Sequence, residues 1–260
     1  KKDLSHFITE KFWTITLIPK NQKTEDTSKL LQYELTPLRT ENEYSDNRHP
    51  EKINRQDDIL LDSNRRDFSI NCIYYFSTNF SKIVFDQKRK LNRKKITNMD
   101  EFQKSLDKNG ILFYQDQNLL IVQNHQYIQK LFAHGKFNKD FLLYLLDILK
   151  DVFSNQKKST ETNIRIIIDP HFGIQDLIKK KIKCVWDPDK RFTEDALRTI
   201  RALRFISVLN QKLRNTPKKS SKITLFDIDT DTRNSLKNHT NLVENVSKER
   251  IKDEMMKVFI

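Results

Sequence analysis

The chain has 260 residues, enough for about one or two domains with a sizeable core. Its 48 Lys and Arg exceed its 35 Asp and Glu, which gives a formal charge of +13. This charge favours a polyanion partner, and nucleic acid is a stronger candidate than a membrane surface. An AT-rich genome would supply part of the lysine excess. Two cysteines and the lack of an apolar run of about 18 residues argue against a disulfide framework and a membrane span, and a reducing cytoplasm is the expected location.

The first part of the chain predicts a small sheet, a loop and a helix. Residues 11–19 and 31–39 alternate between apolar and polar side chains, and the polar segment between them suggests antiparallel neighbours. Residues 40–58 are polar and charged and contain Pro50, which predicts a mobile loop. Residues 59–76 carry apolar side chains that predict a helix.

The later part of the chain predicts short apolar segments and a series of helices. Residues 118–123 predict a short strand or a core segment, and residues 164–169 predict a buried strand. Helices are predicted for residues 137–153, 174–183, 193 onward, 230–240 and 247–259, with a basic link at 214–222 and Ser247 as the last N-cap. Asp227-Ile228-Asp229 is similar to a metal-binding Asp-x-Asp, but it precedes a helix, and helix capping explains it better.

Arg65, Arg66 and Asp67 form the first of two arginine–carboxylate clusters. The planar fork of arginine binds phosphate oxygens bidentately and keeps its charge, and an adjacent carboxylate can accept hydrogen bonds from ribose hydroxyls. Asn71 follows Asp67 by four residues and would share its helical face. These residues could hold the sugar and phosphates of a nucleotide, and the structural alternative is a surface ion pair beside an apolar face.

The second cluster begins a predicted helix that has Thr193 as its N-cap. Glu194 and Asp195 then lie in the first turn, where acidic side chains suit the helix dipole. Capping explains the two acidic residues but not Arg198, which lies one turn after Asp195. This pair offers an acceptor and a donor side by side, which can read the Watson–Crick edge of a base. The same helix carries a basic strip above an apolar stripe, namely Arg201 and Arg204 above Ala196, Ile200 and Leu203.

Both clusters, in this order, resemble motifs of the class II CCA-adding enzymes and bacterial poly(A) polymerases. The segments that resemble family motifs are the flexible loop RTENEYSDNRHP (39–50), the ribose motif RRDFSIN (65–71), the head-to-neck segment DPHFGIQDLIKKKIKCVWDPDKRF (169–192), the nucleotide-selecting helix EDALRTIRALRF (194–205) and the neck helix NVSKERIKDEMMKVF (245–259). The resemblance covers roughly residues 6–86 and 164–260, and the shared order of five motifs makes it specific.

The resemblance implies a nucleotide pocket for CTP or ATP with two walls. The residues implied to contact the ribose and phosphates are Arg65, Arg66, Asp67 and Asn71. On the other wall, Asp195 and Arg198 would pair with the base and Glu194 would orient Arg198, beside the basic strip. The loop residues implied to move during nucleotide addition are Arg39, Glu43, Asp46 and Arg48.

The resemblance also implies an α+β fold in which a β-sheet head precedes an all-α neck. The predicted divisions are a partial nucleotidyltransferase head (1–86), an inserted subdomain (87–163), a return to the head (164–192) and a neck that binds RNA and nucleotide (193–260). The insertion starts with the basic residues Lys88 to Lys95, which could touch RNA, whereas its apolar helix is expected to pack on the head.

The chain departs from the family in one respect that bears on catalysis. The Gly-rich turn and the Asp-x-Asp that hold the metal ions do not occur before Lys11, so no metal ligands are assigned. Transfer needs carboxylates that bind Mg²⁺, and we expect little or no transferase activity from this chain alone. Glu34 is a candidate third carboxylate, although a solvent-facing strand residue is an equally good interpretation. Because the sequence begins with Lys1 and stops at Ile260, we expect a piece of a longer protein.

The leading hypothesis is a template-independent nucleotidyltransferase that acts on tRNA 3′ ends. CCA addition is not separable by sequence from poly(A) addition to other RNA 3′ ends, because both types carry the pair Asp195 and Arg198. The alternatives are a non-catalytic RNA- or nucleotide-binding protein derived from the family, one half of a split enzyme, and a basic helical scaffold. The sequence leaves the oligomeric state open.

Overall fold

The computed structural model describes residues 4–9, 14–19, 33–42, 52–55, 58–80, 110–114, 119–133, 136–148, 162–215 and 224–259. Several predicted features lie outside these residues. They are the loop residues Glu43, Asp46 and Arg48, the basic start of the insertion, and most of the basic link 214–222.

The N-terminal strands form a three-stranded antiparallel sheet in chain order. Its members are β1 (Leu4–Thr9), β2 (Thr14–Pro19) and β3 (Tyr33–Leu35). Ile15 of β2 lies opposite Leu35 of β3, which confirms the predicted antiparallel neighbours. β3 is exposed along its length, and Glu34 lies in it opposite Thr16.

The prediction of a loop for residues 40–58 is wrong where the structure describes it. β4 (Arg39–Asn42) and β5 (Lys52–Arg55) form an antiparallel ribbon, with Arg39 opposite Arg55. Cross-strand hydrogen bonds between backbone groups hold such a ribbon. Such a ribbon therefore does not need the alternation of apolar and polar side chains from which a strand is predicted.

The predicted helix over residues 59–76 is also wrong beyond its first turns. The elements found there are α1 (Ile59–Asn64), a 3₁₀ turn (Ser69–Asn71) and β6 (Tyr74–Phe80). Asp58 caps α1 by accepting a hydrogen bond from the Leu60 amide at 2.7 Å. Phe68 is extended and forms an isolated β-bridge with Cys184, so tertiary pairing overrides the local apolar spacing.

The central sheet joins the predicted insertion to the head. Its insertion strands are β7 (Ile111–Tyr114) and β8 (Leu119–Val122), and β11 (Thr162–Ile168) follows the insertion. The strand order is β6-β11-β8-β7, with β8 parallel to β11 and the other pairs antiparallel. Strands predicted to belong to two subdomains therefore share one hydrogen-bonded sheet.

Helices cover both faces of this sheet. The insertion also contributes α2 (His125–Leu131), the two-residue strands β9 (Phe132–Ala133) and β10 (Lys136–Phe137), and α3 (Lys139–Ile148). Leu142 and Leu145 of α3 are fully buried in one core with Ile166 and Ile168 of β11, which confirms that this helix packs on the head. Each such leucine contributes about 1.5–3 kcal/mol by burial. On the other face, α4 (Gly173–Lys179) packs against β7 and β8.

The C-terminal part is helical apart from one short strand. Its helices are α5 (Pro188–Glu194), α6 (Leu197–Asn215), α7 (Thr230–Asn238) and α8 (Lys248–Met256), with a 3₁₀ segment at Thr240–Asn245. β12 (Lys181–Ile182) pairs in parallel with β13 (Asp227–Ile228), so the predicted neck is not purely helical. None of the helices that the structure describes has the length and apolar character needed to cross a bilayer.

Two predicted helix caps occupy the right positions without making the expected bonds. Asp229 precedes α7 and Ser247 precedes α8, yet neither side chain makes a capping hydrogen bond. Asp227 instead pairs with Lys181 and Arg233. The run 227–229 therefore joins β12 to α7 through strand pairing and ion pairs, and capping does not explain it.

Candidate functional site

Asp62, in the last turn of α1, holds the arginines of the first cluster. Its side chain is 1% exposed and pairs with Arg65 at 2.7 Å and Arg66 at 2.8 Å. It also accepts from the Arg39 amide at 3.2 Å and the Tyr74 hydroxyl at 2.9 Å. Burial alone would raise the pKa of Asp62, but the two guanidinium charges outweigh burial and hold this pKa below its usual value. Sequence reasoning missed Asp62, although it precedes the two arginines by the three and four residues of helical ion pairs.

Asp67 is buried and held from three directions. Its Oδ1 accepts from the Phe68 amide at 2.9 Å and from Asn71 Nδ2 at 2.8 Å. Its Oδ2 accepts from Arg201 Nε at 2.7 Å. Burial raises the pKa of Asp67, but the charge of Arg201 and these hydrogen bonds bring it below the usual value. The predicted proximity of Asn71 to Asp67 is thus confirmed, but a 3₁₀ turn and not an α-helix produces it.

The second cluster is organised around Glu194, the last residue of α5. Glu194 pairs with Arg191 at 2.8 Å and with Arg198 at 2.9 Å. Arg198 also donates to the Arg65 carbonyl at 3.1 Å and to the Arg191 carbonyl at 3.0 Å. The predicted contact between Glu194 and Arg198 is therefore present. Arg191, which sequence reasoning did not select, extends the network.

The prediction of one helix with Thr193 as its N-cap is wrong. Thr193 lies inside α5, where its hydroxyl donates to the Asp189 carbonyl at 2.7 Å. The first helix ends at Glu194, because the backbone of Asp195 is extended, and α6 begins at Leu197. Asp195 Oδ1 accepts from the Leu197 amide at 3.1 Å, so Asp195 acts at the start of the second helix. The predicted apolar stripe fails at Leu203, which is exposed.

Helix α8 contributes side chains to the same network of charges. Its Arg250 lies 3.4 Å from Asp195, at the break between α5 and α6. One turn later, the buried Glu254 pairs with Arg204 at 2.9 Å and with Arg201 at 3.6 Å. Because Arg201 also holds Asp67, a chain of ion pairs leads from α8 to the first cluster. The resemblance included this helix without selecting these two residues.

The two clusters meet in space although they lie far apart in the sequence. Arg201 and Asp67 are 134 residues apart, and their ion pair is 2.7 Å long. Phe68 is fully buried beneath them and makes an edge-to-face contact with Phe205 of α6 at 5.7 Å. The predicted residues of both clusters thus belong to one network of charges. Of the other predicted residues, Arg39 lies in β4, where its carbonyl accepts from Arg65 Nε at 3.0 Å.

The carboxylates of this network do not fit a magnesium site. Asp62, Asp67 and Glu194 are each paired with arginine, which neutralises the charge that a cation would need. Within the described ranges, no group of three or more His, Cys, Asp or Glu could hold a metal ion. Glu34 is exposed and lies within the described ranges, so it belongs to no such group of metal ligands.

Two family profiles match the chain, one in each part of this network. The profile of the "Poly A polymerase head domain" matches residues 2–97, which include the first cluster. The profile described as "Probable RNA and SrmB- binding site of polymerase A" matches residues 225–260, which include α8.

Curated relatives agree with the profiles. The chain is 36% identical over 94 residues to a CCA-adding enzyme of Lactobacillus helveticus, a match that covers 36% of this chain and 20% of the relative. A CCA-adding enzyme of Listeria monocytogenes is 31% identical over 117 residues, or 42% of this chain and 26% of the relative. The matched segments thus span about a quarter or less of these relatives. A crystal structure of the Bacillus stearothermophilus CCA-adding enzyme in complex with CTP aligns with 94% of this chain and 32% of its own, with 18% identity and a TM-score of 0.42. Over the matched segments, the chain is therefore similar to the poly(A) polymerase head domain, to its RNA-binding site and to CCA-adding enzymes.

Proposed function

We propose that this chain supplies the nucleotide pocket of a template-independent nucleotidyltransferase that adds CTP- and ATP-derived nucleotides to tRNA 3′ ends. The observation that carries the proposal is the ion pair between Asp67 and Arg201, which joins the ribose motif to the nucleotide-selecting segment. Two unrelated surface ion pairs would give no reason for an ion pair between the two clusters. Their union is what a pocket that grips both the sugar and the base requires.

The phosphate side of the pocket is assigned to the first cluster. Arg66 is the more exposed of its two arginines, with 32% of the side chain accessible against 17% for Arg65. Asp62 fixes both guanidinium groups from beneath, so their order does not depend on a ligand. A pre-ordered fork of this kind binds a triphosphate with less loss of side-chain freedom than two mobile lysines would.

The sugar and base sides are assigned to residues that Arg201 and Glu194 hold. Asp67, with Asn71 beside it, is positioned to set the contact with the ribose hydroxyls. Asp195 and Arg198 are assigned to the base, and Glu194 orients Arg198 through an ion pair of 2.9 Å. Mg²⁺, ATP, CTP, an RNA 3′ end and a cytoplasmic location are parts of this proposal that come from the family.

Equilibrium binding followed by a product assay tests the proposal. The chain should bind CTP and ATP more tightly than UTP and GTP, because a base-reading pair distinguishes Watson–Crick edges. When it is combined with a head segment that supplies the Gly-rich turn and the Asp-x-Asp, and given Mg²⁺ and a tRNA without its 3′ CCA, the chain should then incorporate CTP and ATP supplied separately. Incorporation of ATP alone into long tails would indicate poly(A) addition. Binding without any transfer would favour the non-catalytic alternative, and no nucleotide binding would refute the pocket itself.

A further inference from the structure

Three aromatic rings form a row beside the two clusters. The ring centroids of Trp186 and His171 are 5.4 Å apart and nearly perpendicular, and those of His171 and His125 are 6.3 Å apart. His125 comes from the first turn of α2, within the predicted insertion. The row therefore combines the head-to-neck segment with the insertion, and the nucleotide pocket described above uses none of its members.

Trp186 is presented to solvent by its backbone and by one hydrogen bond. Its φ is 60°, in the left-handed region that a bulky side chain rarely adopts. The residue is 61% exposed, so burial of the indole does not explain the conformation. Its indole Nε1 donates to Asn64 Oδ1 at 3.0 Å, which fixes the orientation of the ring. An indole that is held in place and left exposed suits the contact of a flat ligand.

Asn64 links this ring to the charged network. While its side chain holds Trp186, its carbonyl accepts from Arg191 Nη1 at 2.9 Å. Arg191 in turn pairs with Glu194, which holds Arg198. Trp186 is therefore anchored to Asn64, which directly precedes the arginine cluster at Arg65, and it lies beside the proposed pocket.

His171 supports the ring from behind without adding charge. Its Nε2 lies 2.9 Å from Ser63 Oγ, in the last turn of α1. Burial, together with the nearby His125 and Arg191, lowers the pKa of His171 to about 4. The imidazole is therefore neutral near pH 7, and the face beside Trp186 stays aromatic and uncharged.

We propose that Trp186 is a stacking platform for an unpaired base near the 3′ end of the RNA substrate. Stacking on an aromatic ring accepts any base, because every base has a π-face. The basic chain attracts the phosphates of the same strand, with a formal charge of +13. The inference rests on the proposed function, since it requires an RNA end at this pocket. It adds a residue for RNA outside the residues assigned to the incoming nucleotide.

Binding of two labelled RNA hairpins tests the proposal. One hairpin ends in unpaired 3′ nucleotides and the other is blunt, and fluorescence anisotropy gives both Kd values. Trp186→Gly suits the observed φ and removes only the ring. It should raise the Kd of the overhang hairpin by about 5- to 150-fold and leave the blunt hairpin unchanged. Trp186→Phe should keep most of the affinity. Tyr75→Ala is the control, because Tyr75 is 59% exposed in β6 and belongs to no described ring pair.

Each other outcome refutes a defined part of the reasoning. Equal loss for both hairpins would mean that Trp186 does not contact an unpaired base. An unchanged Kd of the overhang hairpin for Trp186→Gly would overturn the inference and leave the proposed function intact. If Trp186→Gly weakened CTP or ATP binding instead, Trp186 would belong to the nucleotide site. A wild-type chain that bound neither RNA nor nucleotide would overturn the proposed function and this inference together.

Discussion

Replacing Asp62 with asparagine would remove one negative charge from between two arginines while keeping the size of the side chain. Asp62 accepts two hydrogen bonds from Arg65 and two from Arg66, and it is almost completely buried. The amide of asparagine cannot neutralise two guanidinium groups. We therefore expect Asp62→Asn to destabilise the fold and to loosen the arginines assigned to phosphate.

The size of the effect follows from the burial of the partners. Breaking a fully buried ion pair costs about 3–5 kcal/mol, because it leaves an uncompensated charge. Here the side chains of Arg65 and Arg66 are 17% and 32% exposed, so water screens part of that cost. We expect a loss of about 2–3 kcal/mol in the free energy of unfolding. With a urea dependence of about 1–3 kcal/mol per molar, the midpoint should fall by roughly 1 M.

Urea titration of matched variants measures this effect. Asp227→Asn is the control, since Asp227 also pairs with two cations, Lys181 and Arg233, but is 53% exposed. Exposed pairs contribute less than about 1 kcal/mol, so this midpoint should hardly move. The pKa of Asp62 lies below its ordinary value of 3.8 in the folded chain, so its ionised form stabilises the fold above that pH. The difference between wild type and Asp62→Asn should therefore be complete at pH 7 and shrink as the pH falls below about 4.

Equal losses for Asp62→Asn and Asp227→Asn would refute the reasoning, because burial would then not decide the strength of these pairs. A difference that stayed constant from pH 7 to pH 3 would show that the charge of Asp62 does not contribute.

Three further variants test the site and its support. Asp67→Ala should weaken discrimination between ATP and dATP by about tenfold, and unchanged Kd ratios would exclude a ribose role for Asp67. Arg198→Ala, checked against Arg198→Lys, should reduce the preference for CTP and ATP over UTP, measured by competition binding; an unchanged preference would remove Arg198 from base reading. Gly173→Ala should lower the free energy of unfolding, measured by urea titration, by about 1–3 kcal/mol, because its Cβ would overlap the Ser69 carbonyl oxygen; a variant as stable as the wild type would show that this close approach relaxes easily.

The sequence alone predicted the α+β class and the elements with strong periodic signals. The strands β8 and β11 and the helix α3 lie where continuous apolar runs or helical spacing placed them. These elements bury their apolar side chains in one core, so their local pattern and their tertiary setting agree. The order of short motifs also predicted the similarity to the poly(A) polymerase head domain and the CCA-adding enzymes, because motif residues can be recognised in a sequence without knowledge of their contacts.

Only the tertiary structure decided how the motif residues are held. The role of Asp62 could not be predicted, because nothing in an apolar stretch of sequence indicates that two arginines and a tyrosine bind one aspartate. The segment that follows α1 leaves the helix because Phe68 bridges to Cys184, a partner more than a hundred residues away. The pairing of Asp67 with Arg201 spans 134 residues in the same way. Periodicity reports on neighbours within a few residues, whereas hydrogen bonds and ion pairs between distant segments depend on how the chain packs.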